Sequence, residues 1–130
     1  MSEIDLKSWY LQYVAALDGR RLDEMDQFIA DEVTLNGTPG RRADVIADMR
    51  SILEAVPDMR WEVQELLFDR DRIAVRAVNT GTPQKEWLGV APTGKSFTIV
   101  EYAIYRVRDG RFVEMTNLHD SADILRQLTA

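Results

Sequence analysis

An α+β fold, with helices leading the chain and a curved, mostly antiparallel sheet behind them, follows from three features of this sequence. Apolar residues recur at three- and four-residue spacing up to Val56, as on one face of a helix. From Arg60 onward they alternate at period two, as on a strand. Asp109-Gly110 then joins the last two alternating runs with hairpin chemistry. Helices followed by strands, rather than alternating with them, place the helices on one face of an antiparallel sheet.

The elements follow in order. Leu6, Trp9, Tyr13 and Ala16 or Leu17 mark a first helix, with Asp18 as its end and Gly19 interrupting the pattern. Leu22, Met25, Phe28 and Ile29 predict a short second helix to about Ala30. The segment from Val33 to Gly40 reads as a short extended piece and a turn, because Asn36-Gly37 and Pro39-Gly40 favour tight backbone. Val45, Ile46, Met49, Ile52, Leu53 and Val56 make the broad apolar face of a third helix from about Arg41 to Ala55, stopped by Pro57.

Strands come next. Trp61, Val63, Glu65 and Leu67 share one face of a strand over Arg60 to Phe68, and Asp69-Arg70-Asp71 turns the chain. In the strand Ile73 to Thr80, Ile73, Val75, Ala77 and Asn79 share one face and Ala74, Arg76 and Val78 the other. Another extended piece is expected over Lys85 to Leu88, then a turn at Pro92-Thr93-Gly94-Lys95. Phe97 to Val107 is the longest strand, Phe112 to Leu118 pairs back on it, and a short helix over Asp120 to Leu128 follows.

Composition narrows the function. With 130 residues, 45% of them hydrophobic, the chain builds one domain, residues 1–130, with a real core. The absence of cysteine excludes a disulfide framework and a thiol nucleophile, and a single His excludes a multi-imidazole zinc site. A net charge of -6 with no basic stripe argues against nucleic acid as a partner. No apolar run approaches a membrane span, and the first residues lack a secretory pattern, so a cytoplasmic protein with no membrane partner is expected. GxGxxG, Walker A and GxSxG stretches and metal-ligand clusters are all missing, so neither a cofactor nor a metal is expected.

From Gly81 to Phe97 the chain resembles the SnoaL-like polyketide cyclases, within the cone-shaped fold of nuclear transport factor 2 and ketosteroid isomerase. Gly89-Val90-Ala91-Pro92-Thr93-Gly94 is the most specific piece. Gly40-Arg41, Pro57-Asp58-Met59-Arg60, Ile73-Ala74-Val75-Arg76, Asp109 to Glu114 and Leu125-Arg126-Gln127-Leu128 extend the likeness over nearly the whole chain. The resemblance implies a cone holding a hydrophobic small-molecule substrate, a cofactor-independent cyclase or isomerase, and a homodimer. Apolar residues on both faces of the strands over Ile73 to Asn79 and Phe97 to Val107 agree with a buried outer face.

The resemblance also puts Asp120 on the family's general acid/base, with an intramolecular aldol closure as the reaction. Desolvation in an apolar cone would raise its pKa, whereas capping the last helix would lower it; the side chain is expected to point into the cone. His119 beside it is a candidate proton relay. Asn36 lies where the family has a His-Asn pair and has a carboxamide to orient a carbonyl or water. Arg76 either steadies substrate charge or pairs with Glu101, and the ion pair is preferred. Glu101 interrupts an apolar strand and becomes a second acid/base if its face lines the pocket. Tyr13 and Trp87 are aromatic candidates for the cavity wall, Trp87 near the expected mouth. Thr116 stands where the family usually has an aromatic and completes the substrate-binding set. Two other readings keep the cone but change its use: water activation for epoxide hydrolysis, and ligand binding without proton transfer.

Overall fold

The computed structural model describes residues 3–129. Helix α1 (Glu3–Asp18) is followed by a 3₁₀ helix over Leu22–Gln27, then by β1 (Ile29–Leu35), β2 (Thr38–Arg41) and α2 (Arg42–Ala55). Strands β3 (Arg60–Asp69), β4 (Arg72–Gly81), β5 (Phe97–Arg108) and β6 (Arg111–His119) follow, and α3 (Ser121–Thr129) comes last. The six strands form one sheet in the order β2-β1-β6-β5-β4-β3, antiparallel except where β1 runs parallel to β6. This is the curved α+β cone expected from the order of helices and strands.

Leu6, Tyr10, Tyr13, Ala16 and Leu17 form the buried stripe of α1. The helix ends when the Arg21 N–H reaches back to the Ala16 carbonyl (2.8 Å), with Arg20 rather than Gly19 in the left-handed conformation at φ 60°. Two long-range contacts offset the cost of that φ for a residue with a Cβ. The Arg20 guanidinium donates to the Pro57 and Met59 carbonyls at 2.7 and 2.8 Å, and it stacks over Trp61.

Three segments differ from expectation. Pro39-Gly40 lies within β2 rather than in a turn, because the hairpin turns at Asn36-Gly37. The second helix is a single 3₁₀ stretch, and Ile29 and Ala30 belong to β1. Six residues, three of them acidic, are too few to nucleate an α-helix without packing on all sides. Lys85 to Leu88 is not a strand. Trp87 and Val90 exchange backbone hydrogen bonds at 3.0 Å around Leu88 and Gly89, both at positive φ, which makes a tight turn of the I′ kind.

Two bulges decide which side chains face inward. In β3 the register slips between Val63 and Glu65, so Trp61 and Val63 face the concave side before the bulge and Leu66 and Phe68 after it. Glu65 and Leu67 are thereby turned outward. In β6 the register slips at Val113: Phe112 packs inward opposite Val107, but Met115 then faces Tyr105 and Asn117 faces Ala103. A single extra residue thus moves the odd-numbered positions of β6 onto the concave face.

The main core lies between α1, α2 and that face. Phe112 is fully buried and touches the rings of Trp9, Tyr13 and Tyr105 with centroids 4.7, 4.9 and 4.8 Å away. A smaller cluster of Ala55, Val56, Met59, Phe97, Ile99, Ile124 and Leu128 seals the other end of the sheet beneath α3.

Candidate active site

A cavity of about 230 Å³ opens between α1, α2 and the concave face of the sheet. Its walls are mostly apolar: Val14, Leu17, Val45, Met49, Trp61, Val63, Ala77 and Met115. Into this lining project Tyr10 and Tyr13 from α1, Asp48 from α2, Asn36 from the β1–β2 turn, Glu101 and Tyr105 from β5, and Asn117 from β6. No lysine, arginine or histidine is among the lining residues.

Glu101 is the centre of this set. Its side chain is only 15% exposed. Burial raises its pKa above the ordinary 4.5, and hydrogen bonds from Asn79 and Asn117 and the nearby His119 pull partly the other way. The Asn117 amide donates to Oε2 at 3.4 Å, and His119 Nδ1 lies 4.0 Å from the same oxygen. Around it the tyrosines stay firmly protonated: burial raises the pKa of Tyr10, Tyr13 and Tyr105 alike. The Tyr10 and Tyr105 rings lie against each other with centroids 5.7 Å apart.

Asn36 has a defined orientation. It sits at φ 49° next to Gly37 at φ 83°, the two central residues of the β1–β2 hairpin. Its Oδ1 accepts the backbone N–H of Asn117 at 2.9 Å. A backbone N–H can only donate, so the amide oxygen faces β6 and Nδ2 is the atom left for a ligand.

The structure brings together Tyr13, Asn36 and Glu101 from the residues singled out in the sequence, with His119 beside Glu101 across the β5–β6 ladder. It separates the others. Asp120 is exposed, and its Oδ1 accepts the backbone N–H of Asp123 at 3.0 Å, so it caps α3 instead of pointing into the cone. Thr116 faces outward opposite Ile104, because the bulge in β6 reverses its face. Arg76 does not pair with Glu101: it stands opposite Tyr102 on the outer face and meets Glu65 at 3.4 Å. With both side chains about half exposed, that pair contributes little. Trp87 stacks on Phe97 (5.1 Å between centroids) in the smaller cluster, away from the cavity.

Sequence reasoning passed over Tyr10, Asp48 and Asn117 as site residues. Asp48 had a signal: it falls within the apolar spacing Val45, Met49, Ile52, where a carboxylate is out of place. Tyr10 had one too, through the spacing Leu6, Tyr10, Tyr13, Leu17. Asn117 had none, since its face depends on the bulge.

The chain and its fold match those of known proteins. The family model described as SnoaL-like polyketide cyclase matches residues 7–128. The chain belongs to this family. Among solved structures, this SnoaL-like chain is similar to a SnoaL-like polyketide cyclase from Agrobacterium tumefaciens, with 26% identity and a TM-score of 0.86 over 95% of this chain and 97% of that one. IdmH from Streptomyces antibioticus is 28% identical, with a TM-score of 0.85 over 95% and 98% of the two chains. AclR from Streptomyces galilaeus is 29% identical, with a TM-score of 0.85 over 98% and 97%. No curated protein matches the SnoaL-like chain in sequence. None of the helices among its described residues is long and apolar enough to cross a membrane.

Proposed function

We propose that this SnoaL-like protein closes a ring in a small, mainly apolar polyketide-like substrate, with Glu101 as its general base and acid. The observation that carries this reading is the position of Glu101: a desolvated carboxylate on the wall of an apolar cavity, with amide donors beside it. A carboxylate whose pKa is raised toward neutrality is a stronger base when ionised and still returns its proton readily.

In the reaction, ionised Glu101 takes a proton from the carbon next to a substrate carbonyl. The enolate carbon attacks a second carbonyl of the same molecule, and the new alkoxide recovers the proton from Glu101. One carbon–carbon bond forms, and no atom is gained or lost. Nδ2 of Asn36 is suited to donate to the enolate oxygen where charge develops. Tyr13, kept protonated by burial, adds a second donor on the α1 side. His119 does not line the cavity and is 31% exposed, so it suits a relay between Glu101 and solvent.

The convex face of the sheet supports a homodimer. Leu67, Val100, Tyr102, Ile104 and Leu118 are exposed there. Such a run of apolar side chains is larger than scattered surface residues require, and a symmetric contact would cover it.

The test of the catalytic reading is product profiling with linear polyketide-like substrates. Wild-type protein should give a cyclised product of unchanged mass, and Glu101→Gln should abolish it while Asp120→Asn does not. Normal turnover by Glu101→Gln would overturn it.

A further inference from the structure

Asn79 is the only polar residue in the fully buried set among the described residues, at 4% exposure. It lies on the concave face of β4 opposite Ile99, two positions along from Ala77, which is opposite Glu101. That diagonal placement sets its amide beside the Glu101 carboxylate on the same face of the sheet. Its Oδ1 is buried and has no partner. Asn79 is not among the residues that line the cavity.

A buried amide oxygen left unpaired needs an explanation. The proton cycle of Glu101 supplies one. When Glu101 is ionised it needs a donor, and when it is protonated it has an O–H that needs an acceptor. An amide offers both, one at each end, and exchanges them by turning about χ2. An amide whose oxygen was already bonded elsewhere would have to break that bond to turn. Asn79 has no such bond to lose.

We propose that Asn79 is a positioning residue that follows the proton on Glu101, donating through Nδ2 to the carboxylate and turning to accept at Oδ1 from the acid. The inference rests on Glu101 being the proton-transfer group. It explains why a buried polar residue completes the otherwise apolar face Ile73, Val75, Ala77 of β4. The remaining groups facing Glu101 are Asn117 and His119 from β6, Tyr10 and Tyr13 from α1, Tyr105 from β5 and Asp48 across the cavity from α2. Of these, Asn117 also presents an amide, but its hydrogen bond is exposed, so solvent serves there as an alternative partner.

Asn79→Val and Asn79→Thr form a matched pair of similar shape, in which only Thr has a group able both to donate and to accept. Carbon-13 titration of the Glu101 carboxyl, without substrate, should show the midpoint rising by roughly one pH unit in Asn79→Val. Asn79→Thr should recover part of that shift. In wild-type protein, the nitrogen-15 signal of the Asn79 side-chain amide should move with the Glu101 midpoint, and Glu101→Gln should abolish that movement. In turnover, Asn79→Val should lower kcat with KM nearly constant and move the acid limb of the pH profile upward, and Asn79→Thr should restore part of both. An Asn79 amide that stays silent through the Glu101 titration, or a Glu101 midpoint unchanged in Asn79→Val, would overturn the proposal. The amide titration needs only wild-type protein and decides the matter even if Asn79→Val does not fold. These readings are separate from the catalytic one: Glu101→Gln with normal turnover sinks the function, whereas a silent amide sinks only the role of Asn79.

Discussion

His119 stands directly across the β5–β6 ladder from Glu101, with its Nδ1 4.0 Å from Oε2. One partner of this pair lines the cavity, and the other is 31% exposed beside it. Glu101 returns its proton to the product in the proposed reaction, so His119 is assigned there to restoring the ionised carboxylate after solvent has protonated it. Replacing His119 by Gln keeps a polar side chain but removes the exchangeable site. Turnover should fall by roughly tenfold with KM nearly unchanged, and an added imidazole buffer should restore part of the rate. A turnover rate equal to wild type would show that Glu101 exchanges its proton through the cavity mouth instead.

Glu101→Gln should lower turnover by roughly 100-fold or more. Its effect on stability has the opposite sign. Because burial raises the Glu101 pKa in the folded protein, the folded state holds that proton more tightly than the unfolded chain does. The group's favourable contribution is present below the ordinary value of 4.5 and is lost as pH rises through the raised folded value. Gln never ionises, so the variant should melt above wild type at pH 8 and converge with it near pH 4. Thermal melts across that range check the sign, and a variant that melts lower at pH 8 would mean that ionised Glu101 stabilises the fold.

Asn36 has two separable tasks. Asp at this position still accepts the Asn117 N–H and tolerates a positive φ, but it has no Nδ2 to offer. Asn36→Asp should therefore fold with a melting temperature close to wild type and lose substrate turnover. Leu fails at both tasks: the φ becomes strained and the N–H loses its partner, which together cost about 2 kcal/mol or more. Denaturant melts of the two variants distinguish these effects.

Asp120 is predicted to matter for stability alone. Asp120→Ala removes the acceptor for the Asp123 N–H and should cost about 1 kcal/mol, whereas Asp120→Asn preserves the cap. Both should turn over substrate at the wild-type rate. A large loss in the Asn variant, with its melt unchanged, would return Asp120 to the reaction.

The convex face gives a prediction about assembly. Ile104 and Leu118 lie near each other on β5 and β6, both exposed. Light scattering should report about twice the chain mass of 14.9 kDa for the wild type and a single chain mass for Ile104→Lys. A wild-type monomer at micromolar concentration would rule out the dimer.

The order and extents of most elements were legible in the amino-acid pattern, because side-chain period is a local property. The stripes of α1 and α2 and the alternation in β4 and β5 depend only on spacing, and each matches the fold. The pattern also marked Glu101, since a charge breaking an apolar alternation is visible in one dimension. Which face each side chain takes on the bulged strands was legible only in the folded chain. Val113 interrupts the β6 register, and one extra residue exchanges the two faces beyond it: Asn117 enters the cavity, Thr116 leaves it, and His119 comes beside Glu101. The bulge in β3 likewise aims Glu65 outward to meet Arg76. A bulge is fixed by pairing between strands, and Val113 has nothing in its own sequence neighbourhood to announce one. The role of Asp120 turned on the same distinction: an Asp before a short helix serves a cap or a pocket equally well in sequence, and only the distance to the Asp123 N–H separates them.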